Sequence, residues 1–318
     1  MTARWWMAAA VTLASFATAS TLASMAIALT GPALARRVDR YSPRARATFL
    51  FQLRMIPTAV ALGCALGVAL PVFLWFEPAN ADERIAGTML VMAGAGAALL
   101  LRAAWRMRAS WRATGAVMRT WRSRGRRLDM AAPMPVFAID ESFPTVAVVG
   151  FSRPALFIAE RVLDECSAGE VRAMVLHECA HVAHRDNLKR LLMRACPDAL
   201  RPNGRLDRAW ASASEEAADA RAAAGDPAHA LDLAQALIRV ARLAPRASTL
   251  QVASAFYLGG SIESRVRQLI EPRASLPDPS RPLGGVVACV TLCLMGTSAV
   301  FAAPAIHYLI EVLVRRLP

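Results

Sequence analysis

Charge is scarce in this chain, and acid is scarcer than base. Only 19% of the 318 residues are charged, with 24 acidic side chains against 37 basic ones. Lys189 is the single lysine, so arginine carries the formal charge of +13. The six cysteines show no regular spacing. Cys64, Cys289 and Cys293 sit in apolar runs, while Cys166, Cys179 and Cys196 are scattered through a polar region. That argues against a secreted disulfide scaffold and suits a reducing cytosolic face. What the chain has in quantity is apolar surface: 56% hydrophobic residues and a mean hydropathy of +0.36. A globular core of this size needs less, and the excess is expected to meet lipid.

Four stretches are uncharged for long enough to cross a bilayer, which takes about 20 helical residues: 5–35, 55–76, 85–101 and 282–310. The third lengthens if Arg102 and Arg106 snorkel. The expected organisation is three transmembrane helices (about 5–30, 55–76 and 85–104) and a basic juxtamembrane segment within 1–127. A soluble insert follows over 128–277, then a fourth transmembrane helix and short tail over 278–318. The first stretch also has features of a signal peptide, with a basic start and an Ala33-Leu34-Ala35 triplet. It is longer than a usual signal h-region, and arginines follow it at once.

Arg36, Arg37, Arg40, Arg44, Arg46 and Arg54 lie between the first two spans. EPANADER, with three acids and one arginine, separates the second and third, and nine arginines fall between Arg102 and Arg127. The positive-inside rule then places the first loop and the soluble insert in the cytoplasm, with both termini outside. The segment RAAWRMRASWRATGAVMRTWRSRGRR alternates tryptophan with arginine, a pattern also used to bind nucleic acid. Because it begins directly at a membrane span, a juxtamembrane helix with Trp105 and Trp111 at the interface is the better account, and no direct nucleic-acid contact is expected.

The insert opens with strand-like pieces at 135–140, 145–150 and 154–159, separated by turn residues. Ser167 and Glu170 fit a capping box that starts a helix running to about Cys196, ahead of Pro197. A polar loop follows, then helices at 208–224, 228–243 and 261–271.

The first of these helices carries His177-Glu178-Cys179-Ala180-His181, an H-E-x-x-H pattern. Four residues apart on a helix, the two imidazoles are separated by about 40° in projection and one turn in height, so both reach one ion. Glu178 is then placed to take a proton from metal-bound water. A catalytic zinc needs three protein ligands and an open position. His184 lies about 10 Å along the axis from His177, too far on an unbroken helix, and no glycine is present to turn the chain back. Cys179 projects about 200° from His177. The downstream segment ASEEAADARAAAG offers Glu215 as third ligand, with Asp219 on the same face to accept a ligand histidine's outer N–H. Alone, this would read as a solvated acidic face.

Taken together, GFSRPALFIAERVL from Gly150, EVRAMVLHECAHVAHRDNL, EEAAD and ESRVRQLIEP resemble the BlaR/MecR-type membrane zinc metallopeptidases, a gluzincin family that includes beta-lactam-sensing antirepressors. The resemblance implies a mainly α membrane protein of four transmembrane helices, with an α+β gluzincin-like zinc protease domain inserted between helices 3 and 4. It implies His177, His181 and Glu215 as ligands of one Zn2+, Glu178 as general base, Asp219 as a supporting carboxylate and a bacterial plasma (inner) membrane location. Asp186 stands where the family often has Asp, its role open. No penicillin-binding sensor domain is expected after the fourth span, and beta-lactam sensing is not expected in its usual form. Gly259-Gly260 stand where related heat-shock and prenyl-protein proteases have His-Pro, which leaves Arg265 as the candidate oxyanion stabiliser.

The expected activity is endopeptidase cleavage of a cytoplasmic protein such as a transcriptional repressor, in response to a signal. A substrate strand is expected to pair with an edge strand near Ala155 to Ala159. The alternatives are a quality-control protease for membrane proteins and a non-catalytic zinc-binding receptor or scaffold, for which Glu178 would be superfluous.

Overall fold

In a computed structural model, residues 2–76, 87–197, 204–224, 226–243 and 262–271 are described, together with Tyr308 and Val312. The expected fourth span at 282–310 therefore lies outside the described residues, Tyr308 apart, as does Gly259-Gly260.

Among the described residues, three helices are long and apolar enough to cross a membrane. α1 runs Thr2–Arg37. The second begins at Pro43, earlier than the apolar run alone suggests, because Ser42 caps it by accepting a hydrogen bond from Ala45 N–H and Pro43 suits the first turn. It comprises α2 (Pro43–Leu62), a π-helical turn (Gly63–Ala69) and α3 (Leu70–Phe76). α4 (Gly87–Arg124) joins the third span and the basic segment into one helix. At 38 residues it measures about 57 Å, well beyond the roughly 30 Å of hydrocarbon it would need to cross.

The lower part of α4 is a post for the insert. Trp121 packs edge-on against Phe157 and donates its indole N–H to Glu141 Oε1 at 2.9 Å. Trp111, expected at the membrane interface, stacks on Phe151, while Trp105 is exposed. Gly125 ends the helix, its N–H bonded to Trp121 O.

Four short strands follow: β1 (Arg126–Leu128), β2 (Val136–Ile139), β3 (Val146–Val149) and β4 (Ala155–Ala159). The sheet order is β1-β2-β4-β3, with β2 and β4 parallel and the other pairs antiparallel. β4 is buried along its whole length between two neighbours. The edge strand beside the site is β3, so the edge expected at Ala155 to Ala159 is corrected to Val146–Val149. β3 ends at Gly150, whose φ of 111° is the left-handed side that glycine tolerates.

The short α5 (Glu160–Glu165) leads into α6 (Ala168–His184), which opens on the capping box formed by Ser167 and Glu170. α6 does not run to Cys196. Arg185, at φ 55° and ψ 38°, breaks the helix in the left-handed conformation, and α7 (Asp186–Ala195) leaves in a new direction. A non-glycine residue costs about 1–2 kcal/mol there. The redirected α7 buries Leu191 and Met193 and aims Asp186 back at α6. α8 (Gly204–Ala222), α9 (Pro227–Leu243) and α10 (Ile262–Ile270) complete the insert. Its core lies between the sheet, α6 and α9, centred on Val136, Leu156, Ile158, Val175 and Leu233.

Candidate metal centre

α8 is two-faced. Leu206, Trp210 and Ala213 (i, i+4, i+7) pack on α1 and α2, while Glu215, Asp219 and Ala222 point the other way, where α6 lies. That second face brings Glu215 to the two histidines of α6. His177 Nε2 lies 3.1 Å from His181 Nε2 and 3.4 Å from Glu215 Oε2, and His181 Nε2 lies 3.6 Å from Glu215 Oε1.

Tetrahedral ligands at zinc's bond lengths of 2.0–2.1 Å stand about 3.3 Å apart; the imidazole pair is close to that spacing, each imidazole approaches a different oxygen of Glu215, and one donor atom from each residue lies within 4.8 Å of the others. The rings stand nearly perpendicular, at 84°. Two imidazole nitrogens and one carboxylate are a donor set zinc accepts. The residues therefore fit a metal ion.

Both imidazoles are held from behind by carboxylates. His181 Nδ1 is 2.8 Å from Asp186 Oδ2, and His177 Nδ1 is 2.9 Å from Asp219 Oδ1, an ion-pair contact without hydrogen-bond geometry. Once the Nε2 proton is lost, this arrangement keeps the other proton on Nδ1 and turns the Nε2 lone pair toward the other ligands. Asp186, left open by the sequence, acquires its place only through the Arg185 break. It also accepts from Ser214 Oγ at 2.7 Å and lies 3.4 Å from Lys189 Nζ. His184 and Cys179 stay outside the cluster.

Arg265, the candidate oxyanion stabiliser, lies against Asp219 and Glu215. Buried to 1%, it donates from Nε and Nη2 to both oxygens of Asp219 at 2.7 Å, and Nη1 lies 3.2 Å from Glu215 Oε2. Two nitrogens of its guanidinium are committed to Asp219, and the third faces Glu215 itself.

Glu178 is buried, and its Oε2 accepts from Val148 N–H on β3 at 3.0 Å. Thr145 O bonds Ala159 N across the β3–β4 pair, so alternate residues Val146, Val148 and Gly150 direct their backbone groups outward. Asn187, given no role by the sequence, donates its side-chain N–H groups to Val148 O at 2.9 Å and Gly150 O at 3.2 Å. The cavity over the ligands measures about 40 Å³. At roughly 10–15 Å³ per water, it takes an ion with a water or two and no peptide.

The electrostatics favour positive charge. Burial on its own lowers an imidazole pKa, but Glu215 and then Asp186 outweigh it and His181 is pushed up to about 10. His177 is raised against burial by Asp219 and Glu215. Burial pushes Glu215, Asp219 and Asp186 up; the histidines, with Arg265 beside the first two and Ser214 and Lys189 beside the third, override it and hold all three down. Glu178 is raised, burial outweighing His181 and His177.

These shifts give a signed pH dependence. With a folded pKa of about 10, His181 of the metal-free protein is protonated at neutral pH, and coordination must expel that proton. Zinc affinity should therefore rise about tenfold per pH unit for each proton released, up to the folded pKa. Calorimetric titration at pH 7 in two buffers of different ionisation enthalpy should show the release; identical heats would refute it.

No family model, curated protein or solved structure matches the chain.

Proposed function

We propose that this chain is a membrane zinc metalloendopeptidase of the BlaR/MecR type, cleaving a cytoplasmic protein, with a transcriptional repressor as the expected substrate class. The observation that supports this most is the meeting of His177, His181 and Glu215 at metal-ligand spacing, with Glu178 one residue from a ligand on the same buried helix. When bound, zinc supplies Lewis acidity that lowers the pKa of water and polarises a scissile carbonyl.

The chain's own residues supply the remainder. Glu178 accepts the water proton on its carboxylate and returns it to the leaving amide nitrogen, and its raised pKa suits both transfers. Asp186 and Asp219 keep the imidazoles oriented, and Arg265 keeps Asp219 and Glu215 ionised and in place. β3 offers an extended peptide the outward groups of Val146 and Val148. In the resting structure Glu178 occupies the Val148 N–H and Asn187 occupies its carbonyl, so a substrate strand that reads this edge must replace both. Asn187→Ala is expected to lower KM for an extended peptide several-fold while zinc content stays unchanged. A raised KM would mean that Asn187 supports the edge instead of occupying it.

A cytoplasmic insert is supported by the arginine-rich ends of the helices, which are the ends that touch it. Arg46 pairs with Glu216, Arg54 with Asp207, and Arg106 donates to Cys196 O at 2.6 Å. The decisive experiment compares cleaved cytoplasmic proteins in intact cells carrying wild type or Glu178→Gln. A fragment made only by wild type supports the reading, and identical fragment sets defeat it.

A further inference from the structure

The ligand-bearing elements are tied to the second apolar helix by polar contacts that hydrolysis does not require. Glu216, adjacent to Glu215 on α8, pairs with Arg46 in the first turns of α2, and Ser212 Oγ donates to its other oxygen at 3.1 Å. Both side chains of the pair keep only 15% exposure, so it is largely out of solvent. Two turns earlier on α8, Asp207 Oδ1 receives Arg54 Nε at 2.9 Å, and Arg54 also donates to Met193 O of α7.

A second line reaches His181. The Lys189 ammonium lies over the Phe51 ring of α2 at 5.9 Å and 3.4 Å from Asp186, the carboxylate that holds His181. Ser214, the other neighbour of Glu215, donates to that same carboxylate. Trp210, 1% exposed, closes the α8–α2 interface between the two lines.

We propose that α2 is part of the metal site's support, and that Arg46 acts through Glu216 as a positioning residue for Glu215. This rests on His177, His181 and Glu215 being metal ligands. Glu215 and Glu216 are consecutive on one rigid helix, so α8 cannot turn or slide to relax one carboxylate without moving the other. Metal ligands must be held within about 0.5 Å, and a pair largely shielded from water resists such motion better than an exposed one. A displacement of α2 is then felt at Glu215 as a change in metal affinity. The contacts give a membrane event a physical route to the site.

The test uses the full chain in lipid nanodiscs, with zinc affinity read by chelator competition and ligand geometry by the visible spectrum of the cobalt-loaded protein. Arg46→Ala should weaken zinc about 10- to 100-fold, the range for losing a group that supports a ligand, and should alter the cobalt bands. Arg44→Ala, at an exposed position in the same turn, should do neither. The charge swap Arg46→Glu with Glu216→Arg should recover most of the affinity, which general destabilisation would not allow. Wild-type affinity in Arg46→Ala, or loss that the swap fails to repair, overturns the inference. Wild type binding no zinc in the same titration overturns the ligand assignment itself.

Discussion

Replacing Glu178 with glutamine should lower peptide cleavage by about 10²- to 10⁴-fold while the chain still binds one zinc, because the amide cannot take the water proton. The substitution is nearly isosteric, and a glutamine oxygen can still accept the Val148 N–H that Glu178 Oε2 accepts at 3.0 Å. The β3 edge and α6 should therefore keep their places, and His177, His181 and Glu215 lose none of their contacts. The measurement pairs single-turnover cleavage with zinc content per chain. Unimpaired cleavage would remove Glu178 from the chemistry. Loss of zinc along with activity would make its role structural. The contrast also separates a protease from a zinc-binding receptor, whose properties Glu178→Gln should leave intact.

Arg265→Leu should be the most damaging change for stability, costing the metal-free protein about 3–5 kcal/mol, because two buried carboxylates lose their cation. Asp219 is 5% exposed and Glu215 4%, and both are held low with Arg265's help against a burial that favours the neutral acid. The sign follows from that depression. Stability from carboxylates held low is present above their ordinary pKa and is lost as pH falls through the depressed values. Without Arg265, Asp219 and Glu215 should titrate at higher pH, so acid unfolding should begin earlier. Bound zinc replaces part of the missing positive charge, so thermal midpoints of wild type and variant should lie closer with zinc than with chelator. Arg265→Lys should recover little, since an ammonium cannot bridge both Asp219 oxygens as the planar guanidinium does. A variant as stable as wild type, impaired only in turnover, would favour the oxyanion role for Arg265.

The contacts of Arg265 show where sequence patterns lose their hold. ESRVRQLIEP marks a helix of the right kind, but which buried group its guanidinium meets depends on α10 lying behind α8. The same limit applies to the substrate edge. All three hydrophobic strands were legible, yet period and composition do not say which becomes the edge, and β4 turned out to be central. β1 was hidden inside an arginine run whose residues read as an extension of the basic segment. The α6–α7 break was equally silent, because the left-handed turn is made by Arg185 where a glycine would have announced it.

What this sequence determined by itself is local. Long uncharged runs specify helices able to cross a membrane, Ser167 and Glu170 start α6, and the four-residue spacing of His177 and His181 aligns two imidazoles on one turn. Each follows from helix geometry within a few residues, whatever the remaining chain does. Tertiary structure alone decided how Glu215 completes the ligand spacing, how Asp186 comes to hold His181, and how β3 and Asn187 border the cavity. Those placements follow from which face of α8 the apolar helices α1 and α2 cover and which face remains for α6. That is a matter of packing between segments far apart in sequence, and no local periodicity encodes it.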